Sequence, residues 1–127
     1  MRRELALLFL LCLTACAQMV KTEPARLEPV GAVEAPTVIT VRDRLDILLD
    51  SRYSRTILAG TRWRKVGRLA QGDVYRPVDG VFSIEGRQVH EAYLVIAGSS
   101  LRGFYLPGEA NFSPLVPPLT INLGDPR

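Results

Sequence analysis

The chain has 127 residues, 47% of them hydrophobic, with 16 Lys and Arg against 13 Asp and Glu for a formal charge of +3. That length excludes a second ordinary domain and leaves enough apolar material for one small core. So nearly balanced a charge singles out no partner.

The first residues read as an export address. Met1-Arg2-Arg3-Glu4 carries two adjacent cations, and Leu5 to Leu13 follows without a charge. A helix that crosses a bilayer needs about 20 apolar residues, so this run is too short to span and has the length of a signal-peptide core. It ends in Leu13-Thr14-Ala15-Cys16, with small residues just before the cysteine. These four positions resemble the lipobox of bacterial lipoprotein signal peptides. The resemblance covers Met1 to Cys16. It implies cleavage between Ala15 and Cys16, a diacylglyceryl thioether on Cys16 and, in many Gram-negative bacteria, a further acyl chain such as palmitate on the new amino group. One acyl chain holds a protein marginally, at about 0.8 kcal/mol per buried methylene, whereas two or more anchor it stably. In such lipoproteins an aspartate after the cysteine favours inner-membrane retention. Ala17 stands there, which implies the outer membrane, on its periplasmic side. An ordinary secretory signal with Cys16 incidental is the plainer alternative.

On the lipoprotein reading Cys12 leaves with the leader and Cys16 is consumed by lipid, so no thiol is left for a disulfide, a metal or a nucleophile. Losing Arg2, Arg3 and Glu4 takes the formal charge from +3 to +2.

Residues 16–36 then read as a lipidated N-terminus and flexible tether. Pro24, Pro29 and Pro36 alternate with Glu23, Glu28 and Glu34 among small residues, and the prolines favour extended backbone. As a loose coil the tether would span about 25–30 Å, and fully extended about 65 Å. Residues 37–127 are expected to form a single small β-rich domain.

Thr37 to Val41 is β-branched throughout and suits a short strand. Val41, Leu45, Leu48 and Leu49 then fall on one face of a helix, and Thr40 with Asp43 resembles a capping box. The spacing predicts a short helix near residues 41–50.

Ser51 to Gly72 holds no acidic residue but Arg52, Arg55, Arg62, Arg64, Lys65 and Arg68. If Thr61 to Leu69 is a strand, strict alternation puts Arg62, Arg64 and Arg68 on one face and Trp63, Lys65 and Leu69 on the other. The functional reading is an anion-facing surface for lipopolysaccharide, phospholipid headgroups or peptidoglycan carboxylates. A solvated face carrying one sign of charge is the plainer one. Arginines around Trp63 would suit single-stranded nucleic acid, but an exported protein does not meet it, so no nucleic-acid partner is expected.

Four strand-like runs follow: Asp73 to Arg76, Val81 to Ile84, Val89 to Ile96 and Leu101 to Leu106. Turn residues separate them, with Ala97 to Ser100 closing a hairpin. Pro114, Pro117 and Pro118 enforce an extended crossing before Leu119 to Leu123, whose apolar residues alternate with Thr120 and Asn122. Tyr93 and Val95 face opposite Leu94 and Ile96, so that strand needs cover on both sides. Gly67 and Gly103 lie inside strands, where glycine permits a bulge. The expected fold is mainly β: a compact antiparallel sheet or partly closed barrel of five or six short strands with one short helix.

His90 is the only histidine. Its neighbour Glu91 points to the opposite face of a strand, so a pair would need Asp73, Asp79 or Glu109 brought in by the fold, and a triad would need Ser99 or Ser100. No zinc-spaced, calcium-loop or phosphate-cradling pattern occurs. No catalytic residue, metal site or cofactor is therefore assigned. Phe104 and Tyr105 are expected to divide between core and rim. The leading expectation is a non-enzymatic envelope lipoprotein that binds or assembles with another envelope protein, lipopolysaccharide or peptidoglycan, with candidate sites Cys16 for lipid and Arg62, Arg64 and Arg68 for anions. The alternative is a cell-wall hydrolase or accessory enzyme using His90 with a carboxylate.

Overall fold

The computed structural model describes residues 18–124. The leader, the cleavage flank Ala15 and the lipid-acceptor candidate Cys16 lie outside the described residues.

Among the described residues twelve strands follow in chain order, more than the five or six expected because segments of two to four residues also pair: β1 Glu23–Pro24, β2 Glu28–Pro29, β3 Val38–Thr40, β4 Leu45–Leu48, β5 Ser54–Ile57, β6 Arg62–Leu69, β7 Gly72–Pro77, β8 Ser83–Glu85, β9 Val89–Glu91, β10 Tyr93–Ala97, β11 Ser100–Leu106 and β12 Asn111–Thr120. The main sheet is antiparallel with order β1-β12-β11-β10-β7-β6-β2, and β3 also pairs with β6; β4–β5 and β8–β9 are separate hairpins. The sheet curls into a half-barrel. Just past β12, Leu123 bridges Val41, the Arg42 N–H donates to the Asn122 carbonyl at 2.8 Å and the Gly124 N–H donates to the Thr40 carbonyl at 2.7 Å. The margins of the curl are thus tied through main-chain groups that would otherwise be open edges.

The inner face holds the larger core, with Ile39, Trp63, Tyr75, Leu94, Ile96, Phe104 and Ile121. On the opposite face Leu69, Val74, Val95, Tyr105 and Phe112 form a second cluster, against which Ala25, Leu27, Val66 and Tyr93 pack. The two-sided apolarity of β10 is therefore real, with Leu94 and Ile96 facing inward and Val95 outward. Phe104 and Tyr105 divide between the two clusters, and both are buried.

Four further expectations are corrected. No helix occurs among the described residues; 45–48 is a strand paired with β5. Leu45, Ile47 and Leu49 point inward with period two, while Leu48 is 71% exposed. A short apolar run fits both periods, and pairing with 54–57 decides it. Asp43 caps nothing; it accepts a hydrogen bond from the Asn122 side chain at 2.7 Å.

Second, residues 23–30 do not run free of the domain. They lie extended along the sheet, Glu23 opposite Phe112 and Glu28 opposite Arg68, with Leu27 covering the second cluster. The prolines require extended backbone whether it lies on a sheet or in water.

Third, the single run expected over 89–96 is two strands. The Ala92 N–H donates to the Phe82 carbonyl at 2.9 Å, which diverts β9 to pair with β8 while β10 joins the main sheet. Likewise β12 begins at Asn111 and contains the prolines expected to form a crossing. Its register jumps from Gly103↔Pro114 to Leu101↔Leu119, so Pro117 and Pro118 fall where no donor to β11 is needed.

Candidate functional site

β6 carries the basic residues, and its bulge decides where they point. Trp63 belongs to the inner core, whereas Val66 and Leu69 both pack on the second cluster. Two residues three apart share a face only if the strand carries an extra residue between them, and the pairing with β7 shifts register between Lys65 and Gly67. Arg62 and Arg64 flank Trp63 and therefore project from the outer face. Arg68 precedes Leu69 and projects from the other face, opposite Asp73 in register. The expected three-arginine stripe is thereby corrected to two, and Leu69 does not share Trp63's face.

A third cation takes the vacated place. Arg76 of β7 lies directly opposite Arg64 and is exposed. It shares the outer face with Val74, since Tyr75 between them points inward. Its guanidinium carbon lies 6.0 Å from the Tyr93 ring centroid. Burial first, then the nearby Glu91 carboxylate, pushes the Tyr93 phenol up, and the Arg76 charge opposes them. Arg62 is 3.8 Å from Asp79 across an exposed gap. Neither Arg64 nor Arg76 has a carboxylate partner within ion-pair distance among the described residues. Alternation along Asp73 to Arg76 could have pointed to Arg76, but matching it with Arg64 needed the β6–β7 register.

The fold also selects a partner for His90. Its Nδ1 lies 2.8 Å from Glu109 Oε1, with the imidazole largely covered and the carboxylate half-exposed. Of the three carboxylates open from sequence, Asp73 instead pairs with Lys65 at 3.5 Å and Asp79 with Arg62. The pair joins the β8–β9 hairpin to the β11–β12 turn beside a hollow of about 320 Å³, also lined by Thr22, Arg87, Gln88 and Asn111. Ser99 and Ser100 do not join it. Ser100 opens β11 while Leu106, which lines the hollow, closes it, a separation of about 20 Å at strand rise. No hydroxyl is hydrogen-bonded to the imidazole among the described residues. No group of three or more metal-ligating side chains occurs among them.

A second hollow, about 360 Å³, opens between β5 and the β7–β8 connection over Trp63 and Phe82, with Leu58 and Val81 on its rim. The two aromatic rings meet edge to face at 5.5 Å and are themselves buried. They hold the inner core closed and present little ring surface to a ligand.

Comparison with protein-family models, with curated proteins and with solved structures finds no match to this chain.

Proposed function

We propose that this protein is a lipid-anchored module of the bacterial outer-membrane envelope that binds an anionic envelope component without catalysing a reaction. The anchor rests on the lipobox resemblance at Leu13 to Cys16. The binding role rests on one observation: Arg64 and Arg76 face each other across β6 and β7 with no carboxylate on either. Like charges placed directly opposite on a sheet destabilise it, and a face that keeps them gains from an arriving anion. Guanidinium groups suit phosphate and carboxylate alike because their paired N–H donors match both geometries.

The test is binding of the wild type and the Arg64→Gln/Arg76→Gln double variant to lipopolysaccharide vesicles, to solubilised peptidoglycan and to a neutral phosphatidylcholine vesicle. The reading predicts salt-sensitive binding to one of the first two, lost in the double variant and absent on the neutral vesicle. Equal binding by both proteins at low salt would reject it. Arg68→Gln, on the other face, should bind as the wild type does.

A second reading is supported by the His90–Glu109 pair beside its hollow: a cell-wall hydrolase in which Glu109 orients His90 as a general base. It predicts release of soluble fragments from purified peptidoglycan, abolished by His90→Ala. No release by the wild-type protein would reject it.

A further inference from the structure

The start of the described chain is docked against the domain, and this fixes where an anchor at Cys16 would emerge. The main chain at Gln18 and Val20 lies against Gly86, so closely that a methyl group there would come within 2.9 Å of the Gln18 carbonyl. Lys21 Nζ lies 3.6 Å from Asp50. The Ser51 hydroxyl donates to the Glu85 carbonyl at 2.5 Å, joining the β4–β5 turn to the β8–β9 turn. These two turns and residues 18–21 therefore form one end of the molecule. Cys16 precedes Gln18 by two residues, about 7 Å of backbone at full extension.

That end carries an unusual surface for a soluble face. Met19 is 63% exposed, Leu48 71%, Tyr53 40% and Val89 65%, each in or next to one of the three segments. Arg52 and Arg87 sit among them with no carboxylate within ion-pair distance among the described residues. Scattered apolar residues are ordinary on a surface. Four at one end, one of them a tyrosine, mixed with two arginines, match the composition of a surface that lies at the headgroup boundary.

We propose that this end rests on the bilayer that holds the anchor, with Tyr53, Val89, Leu48 and Met19 at the headgroup level and Arg52 and Arg87 among the lipid phosphates. The inference depends on the lipid anchor of the proposed function and adds an orientation to it. The domain sits on the membrane instead of standing off it on a leash, because 23–30 is laid along the sheet. Leu58 and Val81 mark the far side. Leu58 lies five residues past Tyr53 along β5, and Val81 lines the same hollow as Leu58.

The test uses full-length protein, matured in cells and reconstituted into phospholipid vesicles. On the anchor reading its one remaining cysteine is blocked by lipid, so a single new thiol can be labelled. Environment-sensitive fluorophores are placed at Tyr53→Cys, Val89→Cys, Leu58→Cys and Val81→Cys, all exposed positions, and are challenged with a headgroup-borne nitroxide quencher. Mass spectrometry records the state of Cys16 in each preparation. The expected result is several-fold stronger quenching, with a blue-shifted emission, at 53 and 89 than at 58 and 81. Equal quenching at all four with Cys16 acylated would overturn the orientation and leave the anchor standing. An unacylated Cys16 with no quenching anywhere would overturn the anchor and the orientation with it.

Discussion

The Glu28 carbonyl passes over Gly67 so closely that any Cβ there would overlap it, and the Leu27 side chain would meet the same Cβ at 2.8 Å. This one approach couples the bulge in β6 to the strap over 23–30. The bulge re-aims Arg68, the missing side chain admits the strap, and Leu27 on the strap closes the second cluster.

Gly67→Ala should therefore lift the strap without touching the inner core. Overpacking of this kind costs about 1–3 kcal/mol. Arg26 lies between the two paired segments, so limited trypsin digestion should cut the variant at Arg26 well before it cuts the wild type. Equal cleavage rates would contradict the role assigned to the approach.

Arg64→Glu separates stability from binding. It replaces a like-charge pair across β6 and β7 with an opposite-charge one, which should raise stability by about 0.2–1 kcal/mol. The same change should reduce anion binding more than Arg64→Gln does. Thermal melts and a vesicle-binding assay on one preparation check both, and a loss of stability would show that Arg64 and Arg76 do not repel each other in the folded protein.

The β4–β5 hairpin carries a titration marker. The Thr56 hydroxyl, donating at 2.7 Å, and then Arg44 hold the Asp46 carboxyl below the ordinary value of 3.8. A depressed folded value contributes stability above the unfolded pKa and loses it as pH falls through the folded one. The stabilisation is thus complete at neutral pH, and only its loss, below about pH 4, is pH-dependent. Asp46 is exposed, so the readout is its own midpoint. Carboxyl-carbon NMR should find it lowered in the wild type and moved back toward 3.8 in Thr56→Val. An unchanged midpoint would show that the hydrogen bond does not form.

What the sequence made legible was set by how far each signal reaches along the chain. The two-sided apolarity of Tyr93 to Ile96 is local, and it places that strand between two clusters. Gly67 and Gly103 are likewise local, and both mark register shifts. The period over 41–50 fitted helix and strand equally, and the deciding partner, Ser54–Ile57, is invisible to periodicity. Alternation carried Arg68 to the wrong face because a bulge adds one residue without changing composition. Glu109 was one of three carboxylates open to His90, and only the packing of the β11–β12 turn against β9 selects it.

The lipid anchor underlies both the proposed function and the membrane orientation, and intact-mass spectrometry of the mature protein purified from its native membrane tests it most directly. The predicted mass is that of Cys16 to Arg127 carrying a diacylglyceryl group on the Cys16 sulfur, with a further acyl chain on its amino group where the host adds one. A free Cys16 thiol, or a mature chain that begins at any other residue, would contradict it.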